Sequence, residues 1–149
     1  MEIETAPERL RALPSWLLAQ AALEAARTVS EYLSAVGAHR SHYAVLAALE
    51  EFGPASQAAL GRRCGIDRSD MVALLDGLAA DGDVERRPDP SDRRRNTVTL
   101  TPRGVRRLEE LSAVLGNAQD ALLSPLPSRD RDALVALLRA LVTGHDARR

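Results

Sequence analysis

The side chains in this sequence best suited to chemistry are arginines, and the chemistry they suit is binding polyanions. Between Val84 and Arg107 stand Arg86, Arg87, Arg93, Arg94, Arg95, Arg103, Arg106 and Arg107, against only Glu85, Asp89 and Asp92. That segment carries +5, leaving −6 for the rest of a chain whose total is −1. A guanidinium is always charged and offers a planar fork of donors that matches phosphate oxygens or the major-groove edge of guanine. A local basic patch on a near-neutral chain is the electrostatic footprint of a nucleic-acid reader. Catalytic patterns are missing: there is no glycine-rich phosphate loop, no His-Glu zinc helix and no nucleophile elbow, so an enzyme is not expected.

The remaining reactive side chains read as ordinary ones. His39 and His42 form a His-x-x-His pair without cysteines or a fixed carboxylate, and His145 lies far along the chain. They read as surface or interface histidines, with no metal or cofactor expected. Cys64, the single cysteine, excludes an intrachain disulfide framework and fits a reducing compartment. Its spacing four residues after Leu60 puts it on a core-facing side, where a thiol is usually inert packing.

The arginines need elements to hold them. The run Val84 to Leu100, VERRPDPSDRRRNTVTL, alternates apolar and polar residues on both sides of a Pro-Asp-Pro turn. That pattern predicts a β-hairpin with Val84, Val98 and Leu100 on its buried face and guanidinium groups at its tip. Upstream, Ser56 can cap a short helix that Gly65 ends, and Asp67 with Asp70 starts another in capping-box fashion. Met71, Leu74, Leu75 and Leu78 then recur at i, i+3, i+4 and i+7, the core face of an amphipathic helix that Gly82 stops. A short helix, a glycine turn, a second amphipathic helix and a cationic hairpin, in that order, make a winged helix-turn-helix.

Longer helices flank this reader. From Pro14, the residues Leu18, Ala22, Ala25, Val29, Tyr32 and Val36 recur at spacings of four and three on one helix ending near Gly37. Ser41 can cap the next, which carries Val45, Leu46, Leu49 and Phe52. After Thr101-Pro102 a helix runs through Leu108, Leu111, Leu115, Ala118 and Leu122 until Pro125 and Pro127 break it. Ser128 can cap a last helix with Leu134, Leu137, Leu138, Leu141 and Val142 on one face and Gly144 at its end. Residues 1–12 read as a loose arm. At 45% apolar and 3% aromatic residues, the core is one of Leu, Ala and Val, which favours helices. The fold class expected is therefore mainly α with a small β-hairpin wing, in a single domain. Residues 41–100 form the winged helix-turn-helix, and the helices of 14–37 and 102–143 bury their stripes against each other and a second copy. A two-fold dimer presents two reading helices roughly 34 Å apart to a palindromic site. The acidic N-terminus without an apolar core predicts no signal peptide, and no apolar run reaches membrane-spanning length, so a soluble cytoplasmic protein is expected.

The run LGRRCGIDRSDMVALLDGLAADGDVERRPDPSDRRRNTVTLTPRG resembles the MarR family of bacterial transcription regulators. The wing, DPSDRR followed by an alternating strand and Leu-Thr, is its most specific part. The resemblance implies a homodimer that binds palindromic double-stranded operators, usually a repressor released by a small-molecule effector or by oxidation. By position, Arg94 matches the wing-tip arginine that enters the minor groove and Asp92 the acidic residue that orients it. Arg68, Ser69, Asp70 and Ala73 match the exposed side of the recognition helix. Asp70 departs from the small hydroxyl residues frequent there, and Ala73 from longer polar ones, which narrows base readout. Family ligands lie between the dimerisation helices and the reader, a region matched by Trp16, Arg40, His42, Tyr43 and Leu46.

Read as chemistry, Arg68 can fork onto guanine or clamp a phosphate, and Asp70 can accept from cytosine or only complete the helix cap. Arg93 and Arg95 add salt-dependent phosphate contacts. Ser56, Gln57, Arg62 and Arg63 can touch the backbone from the preceding helix, and Arg86 and Arg87 from the flanks of the wing. Two functions stay open on these grounds: a sequence-specific repressor with an effector, or an architectural DNA binder with little sequence preference and no effector.

Overall fold

A computed structural model describes residues 3–149, and its architecture follows the helical stripes closely. A single 3-10 turn at Ile3–Thr5 and the short α1 (Glu8–Arg11) precede α2 (Pro14–Ser34) and α3 (Arg40–Phe52). The two-residue β1 (Ala55–Ser56) leads into α4 (Gln57–Cys64) and α5 (Arg68–Ala80). The wing strands β2 (Val84–Pro88) and β3 (Asn96–Leu100) follow, then α6 (Pro102–Leu122) and α7 (Ser128–Asp146).

One apolar cluster unites these elements. Leu33 of α2, Val45, Leu46 and Leu49 of α3, Leu60 of α4, Met71, Leu75 and Leu78 of α5, Val84 and Val98 of the wing, and Leu108 and Leu111 of α6 are all buried in it. Burying each such side chain is worth about 1.5–3 kcal/mol relative to exposure, so the cluster anchors the reader to α2 and α6. The sheet is antiparallel in the order β1-β3-β2. Val84 pairs with Leu100 and Arg86 with Val98, as a hairpin requires, while Ala55 pairs with Val98 and Ser56 with Thr97. The expected hairpin is thus the larger part of a three-stranded sheet.

Four local details differ from the sequence reading. The chain before α2 is partly ordered: Leu10 and Arg11 donate to the Pro7 carbonyl, and Ala6 is buried. Met1 and Glu2 of the expected arm lie outside the described residues. The cap of α3 is His39 rather than Ser41, because its backbone N–H donates to His42 Nδ1 at 3.0 Å. On α2 the side turned inward is Thr28 and Leu33, with Leu18 40% exposed in the single chain. Finally, α7 runs past Gly144 to Asp146, since a surface glycine weakens a helix without ending it. No residue of α7 is buried in the protomer, and Leu137, Val142 and Val135 remain exposed.

Between the wing and α6 the packing is tight. Thr101 Oγ1 accepts the Gly104 N–H at 3.0 Å and donates to the Gly82 carbonyl at 2.6 Å, while the Thr101 N–H donates to the Asp83 carbonyl at 3.1 Å. Gly104 faces Asp83 so closely that an added Cβ would lie 2.6 Å from Leu100 Cδ1 and 3.0 Å from the Asp83 carbonyl carbon. Among the described residues no helix is long and apolar enough to cross a membrane.

Candidate nucleic-acid interface

The wing tip is built by two carboxylates. Asp89 Oδ1 accepts the Ser91 N–H at 2.8 Å and the Ser91 hydroxyl at 2.7 Å, closing an Asx turn after Pro88. These hydrogen bonds hold the Asp89 carboxyl below its ordinary range. Asp92 Oδ1 accepts both the backbone N–H and the side-chain Nε of Arg94, at 3.0 and 3.3 Å. Its other oxygen lies 3.8 Å from Arg95 Nε. The Arg94 side chain is nevertheless 92% exposed. Asp92 therefore holds the Nε edge of the guanidinium and leaves its two terminal nitrogens projecting.

The recognition helix is capped as its sequence suggests. Asp67 Oδ1 accepts the Asp70 N–H at 3.0 Å and the Ser69 hydroxyl at 2.8 Å. The Asp70 N–H, then the Ser69 hydroxyl, lower the Asp67 carboxyl, while hydrogen bonding to Asp67 and repulsion from it raise that of Asp70. The sides of this helix then form walls of two different clefts. Arg68 and Met71 line a cleft of about 650 Å³ together with Ser56, Gln57, Arg62, Arg94, Arg95 and Asn96. Asp70, Ala73 and Gly77 line a second cleft of about 610 Å³ on the opposite side, facing His39, Arg40, Ser41 and His42.

The first cleft brings together six of the fourteen expected DNA-binding residues, Ser56, Gln57, Arg62, Arg68, Arg94 and Arg95, while Asp70 and Ala73 lie on the second. Ser56 caps α4 by accepting the Ala59 N–H at 3.1 Å, so its hydroxyl is held at the edge of the cleft. Among the described residues no carboxylate lies within ion-pairing distance of Arg62, Arg68 or Arg93, so these charges are uncommitted. Three other expected contacts are occupied elsewhere. Arg63 stacks its guanidinium 3.9 Å from the centre of the Phe52 ring. Arg87 pairs with Glu85 at 3.0 Å, and Arg86 with Asp76 of α5 at 2.6 Å. Strand parity explains the last pair: Arg86 shares the inward face with Val84 and so lies over α5. Asp76, Asp89 and Asn96 were not singled out in the sequence. Asp76 was legible in principle, because it falls two turns after Arg68 on one helix face.

Of the residues matched to ligand binding, Arg40 and His42 line the second cleft. Trp16 and Tyr43 are half-buried away from its wall, and Leu46 is fully enclosed in the core. The His39 and His42 rings lie 3.9 Å apart. Burial, then repulsion from His39 and Arg107, holds the His42 imidazole below its ordinary value. Arg107 itself reaches from α6 to donate to the Val36 carbonyl at 2.6 Å. Cys64 is half-buried, with Sγ 3.6 Å from the Ala44 carbonyl, and burial pushes its thiol up. Among the described residues no three His, Cys, Asp or Glu side chains are grouped to hold a metal ion.

This geometry has close counterparts. A MarR family profile matches residues 37–95, which span α3 to the wing tip. The transcriptional repressor NicR of Pseudomonas putida is 30% identical over 67% of this chain and 63% of its own length. The chain spans about half to two thirds of the curated relatives it matches. A probable transcriptional regulator from Pseudomonas aeruginosa is 30% identical, with a TM-score of 0.74 over 89% of this chain and 99% of that one. The repressor CouR, solved on a 23-mer DNA duplex, is 27% identical, with a TM-score of 0.79 over 91% of this chain and 96% of that one. With the profile lying on the winged helix-turn-helix and the solved relatives matched almost end to end, the chain belongs to the MarR family.

Proposed function

We propose that the protein is a homodimeric, sequence-specific transcription regulator of the cytoplasm, a repressor that binds palindromic double-stranded operators and is released by a small-molecule effector. One observation carries the reading: the uncommitted Arg68 of an exposed helix and the projecting Arg94 of the wing open onto the same cationic cleft. A major groove admits such a helix, and the narrow minor groove beside it attracts an arginine. Arg62 and Arg95 on the rim add phosphate contacts that fix register. CouR on its duplex supports the docking mode. The unburied apolar face of α7, with α2 beside α6, supports a second copy as partner.

The cleft between the His39–His42 turn and Asp70, Ala73 and Gly77 supports the effector step. A ligand held by Arg40 and His42 there would wedge the start of α3 from the recognition helix and change the separation of the two reading heads. Tyr43 and Leu46, on the same helix as Arg40 and His42, belong to the supporting shell on this reading, while Trp16 stands at the far end of α2.

Selection of duplexes from a random pool, followed by competition, tests the proposal. The expected result is a palindromic consensus preferred over random duplex, with Arg94→Ala costing about 1–3 kcal/mol of affinity. Equal affinity for consensus and random duplexes would instead establish an architectural binder.

A further inference from the structure

We infer that Val72 is a specificity-determining residue that reads the methyl group of a thymine in each half-site. The inference rests on the DNA-binding reading above. Arg68, Val72 and Asp76 follow one another at i and i+4, with Ser69 alongside, on the side of α5 away from Met71, Leu74, Leu75 and Leu78. Val72 is 41% exposed. A lone exposed apolar side chain is ordinary on a protein surface. What distinguishes Val72 is that it lies one turn after the uncommitted Arg68 and one turn before Asp76, and that Ser69 and Asp76 beside it are engaged within the protein.

Ser69 donates its hydroxyl to Asp67, and Asp76 is drawn toward the wing by Arg86. Ala73 and Ala80 add only methyl groups to this exposed side. A β-branched residue is also a poorer helix former than alanine or leucine, so local propensity gives no reason for it. Between Arg68 and Asp76 the side chains are thus short, and this part of the face can approach a groove floor closely. Of the four bases only thymine presents a methyl group in the major groove. Readout on α5 then divides into hydrogen bonding by Arg68 at the cleft edge and methyl contact by Val72 one turn further on.

The test uses the full-length protein and the duplex it selects from a random pool. Each thymine is replaced singly by 2′-deoxyuridine, which removes the methyl group and keeps base pairing. For the wild type, one position per half-site is expected to lose affinity about fourfold, the effect of one methyl left unburied, and about sixteenfold when both half-sites are changed. Val72→Ala, which suits an exposed helix position and should keep the wild-type melting profile, is expected to bind the thymine duplex as weakly as the deoxyuridine one. Retention of full thymine preference by Val72→Ala at every position would overturn the inference, as would a wild type indifferent to deoxyuridine throughout. A wild type that selects no duplex overturns the DNA-binding reading itself, and Val72 with it.

Discussion

Gly104→Ala should destabilise the fold although alanine is the better helix former. In an open helical position this exchange gains about 0.8–1 kcal/mol. At Gly104 the new Cβ would lie 2.6 Å from Leu100 Cδ1 and 3.0 Å from the carbonyl carbon of Asp83, with the oxygen of that carbonyl nearer still. The obstruction is mainly backbone, and it is pinned: the same carbonyl accepts the Thr101 N–H, and Thr101 also holds Gly82. Forcing extra volume into such a contact costs about 1–3 kcal/mol and occasionally more. With rigid backbone on the receiving side, the cost falls at the top of that range, for a net loss of about 2 kcal/mol. That corresponds to a fall in melting temperature of about 4–8 °C. Gly116 of the same helix is the control, since a Cβ there meets nothing within 4 Å. Gly116→Ala should raise stability by about 0.5–1 kcal/mol. Thermal and urea denaturation followed by circular dichroism, at equal protomer concentration, measures both. If Gly104→Ala melts at or above the wild type, the junction between the wing and α6 is not the constrained packing described.

Three further outcomes are expected. Asp92→Ala should weaken DNA binding two- to fivefold, the scale of an exposed ion pair, even though it removes a negative charge next to phosphates; filter binding that shows tighter association would leave Asp92 merely repulsive. His42 should make stability fall as pH drops. Its folded pKa is depressed by burial and by neighbouring positive groups, so its contribution is complete above the unfolded value near 6.5 and is lost as pH falls from there through the folded value. Denaturation midpoints from pH 8 to 5 should show a slope that His42→Gln reduces; an unchanged slope would assign it elsewhere. Cys64 should alkylate with iodoacetamide more slowly than a free thiol at pH 8, because burial raises its pKa, and Cys64→Ala should keep DNA affinity under peroxide and without it. A peroxide response lost in that variant would make Cys64 a sensor.

Much of the reader was legible because its signals are local. The spacing of Met71, Leu74, Leu75 and Leu78, the caps at Ser56, Asp67 and Thr101, and the alternation around Val98 each depend on a few consecutive residues. What escaped depends on residues far apart in sequence. β1 has only two residues, too few to show any period, and exists because β3 offers it an edge. Arg86 looked like a phosphate contact until the strand carried it over Asp76. On α2 spacing identifies an apolar face without naming what covers it: Val29 and, just past the helix end, Val36 pack on the protomer core, while Leu18 at its start is open in the single chain. Asp92 was expected to orient an arginine, and the two hydrogen bonds to Arg94 have that form.

On the proposed docking, the short pairing of β1 with β3 has a consequence for how an operator is measured. Ser56 begins the helix that supports α5, and through its pairing with Thr97 it is joined by backbone to the strand that carries the wing tip. Helix and tip therefore form a ruler of fixed length. Exchanging side chains on the tip can alter which flanking bases are favoured, but not how far they stand from those under α5. One base pair inserted between the two contact zones shifts the flank by about 3.4 Å and turns it around the duplex axis. A rigid ruler cannot follow both changes, so such an operator should lose the minor-groove contact outright while keeping the major-groove one.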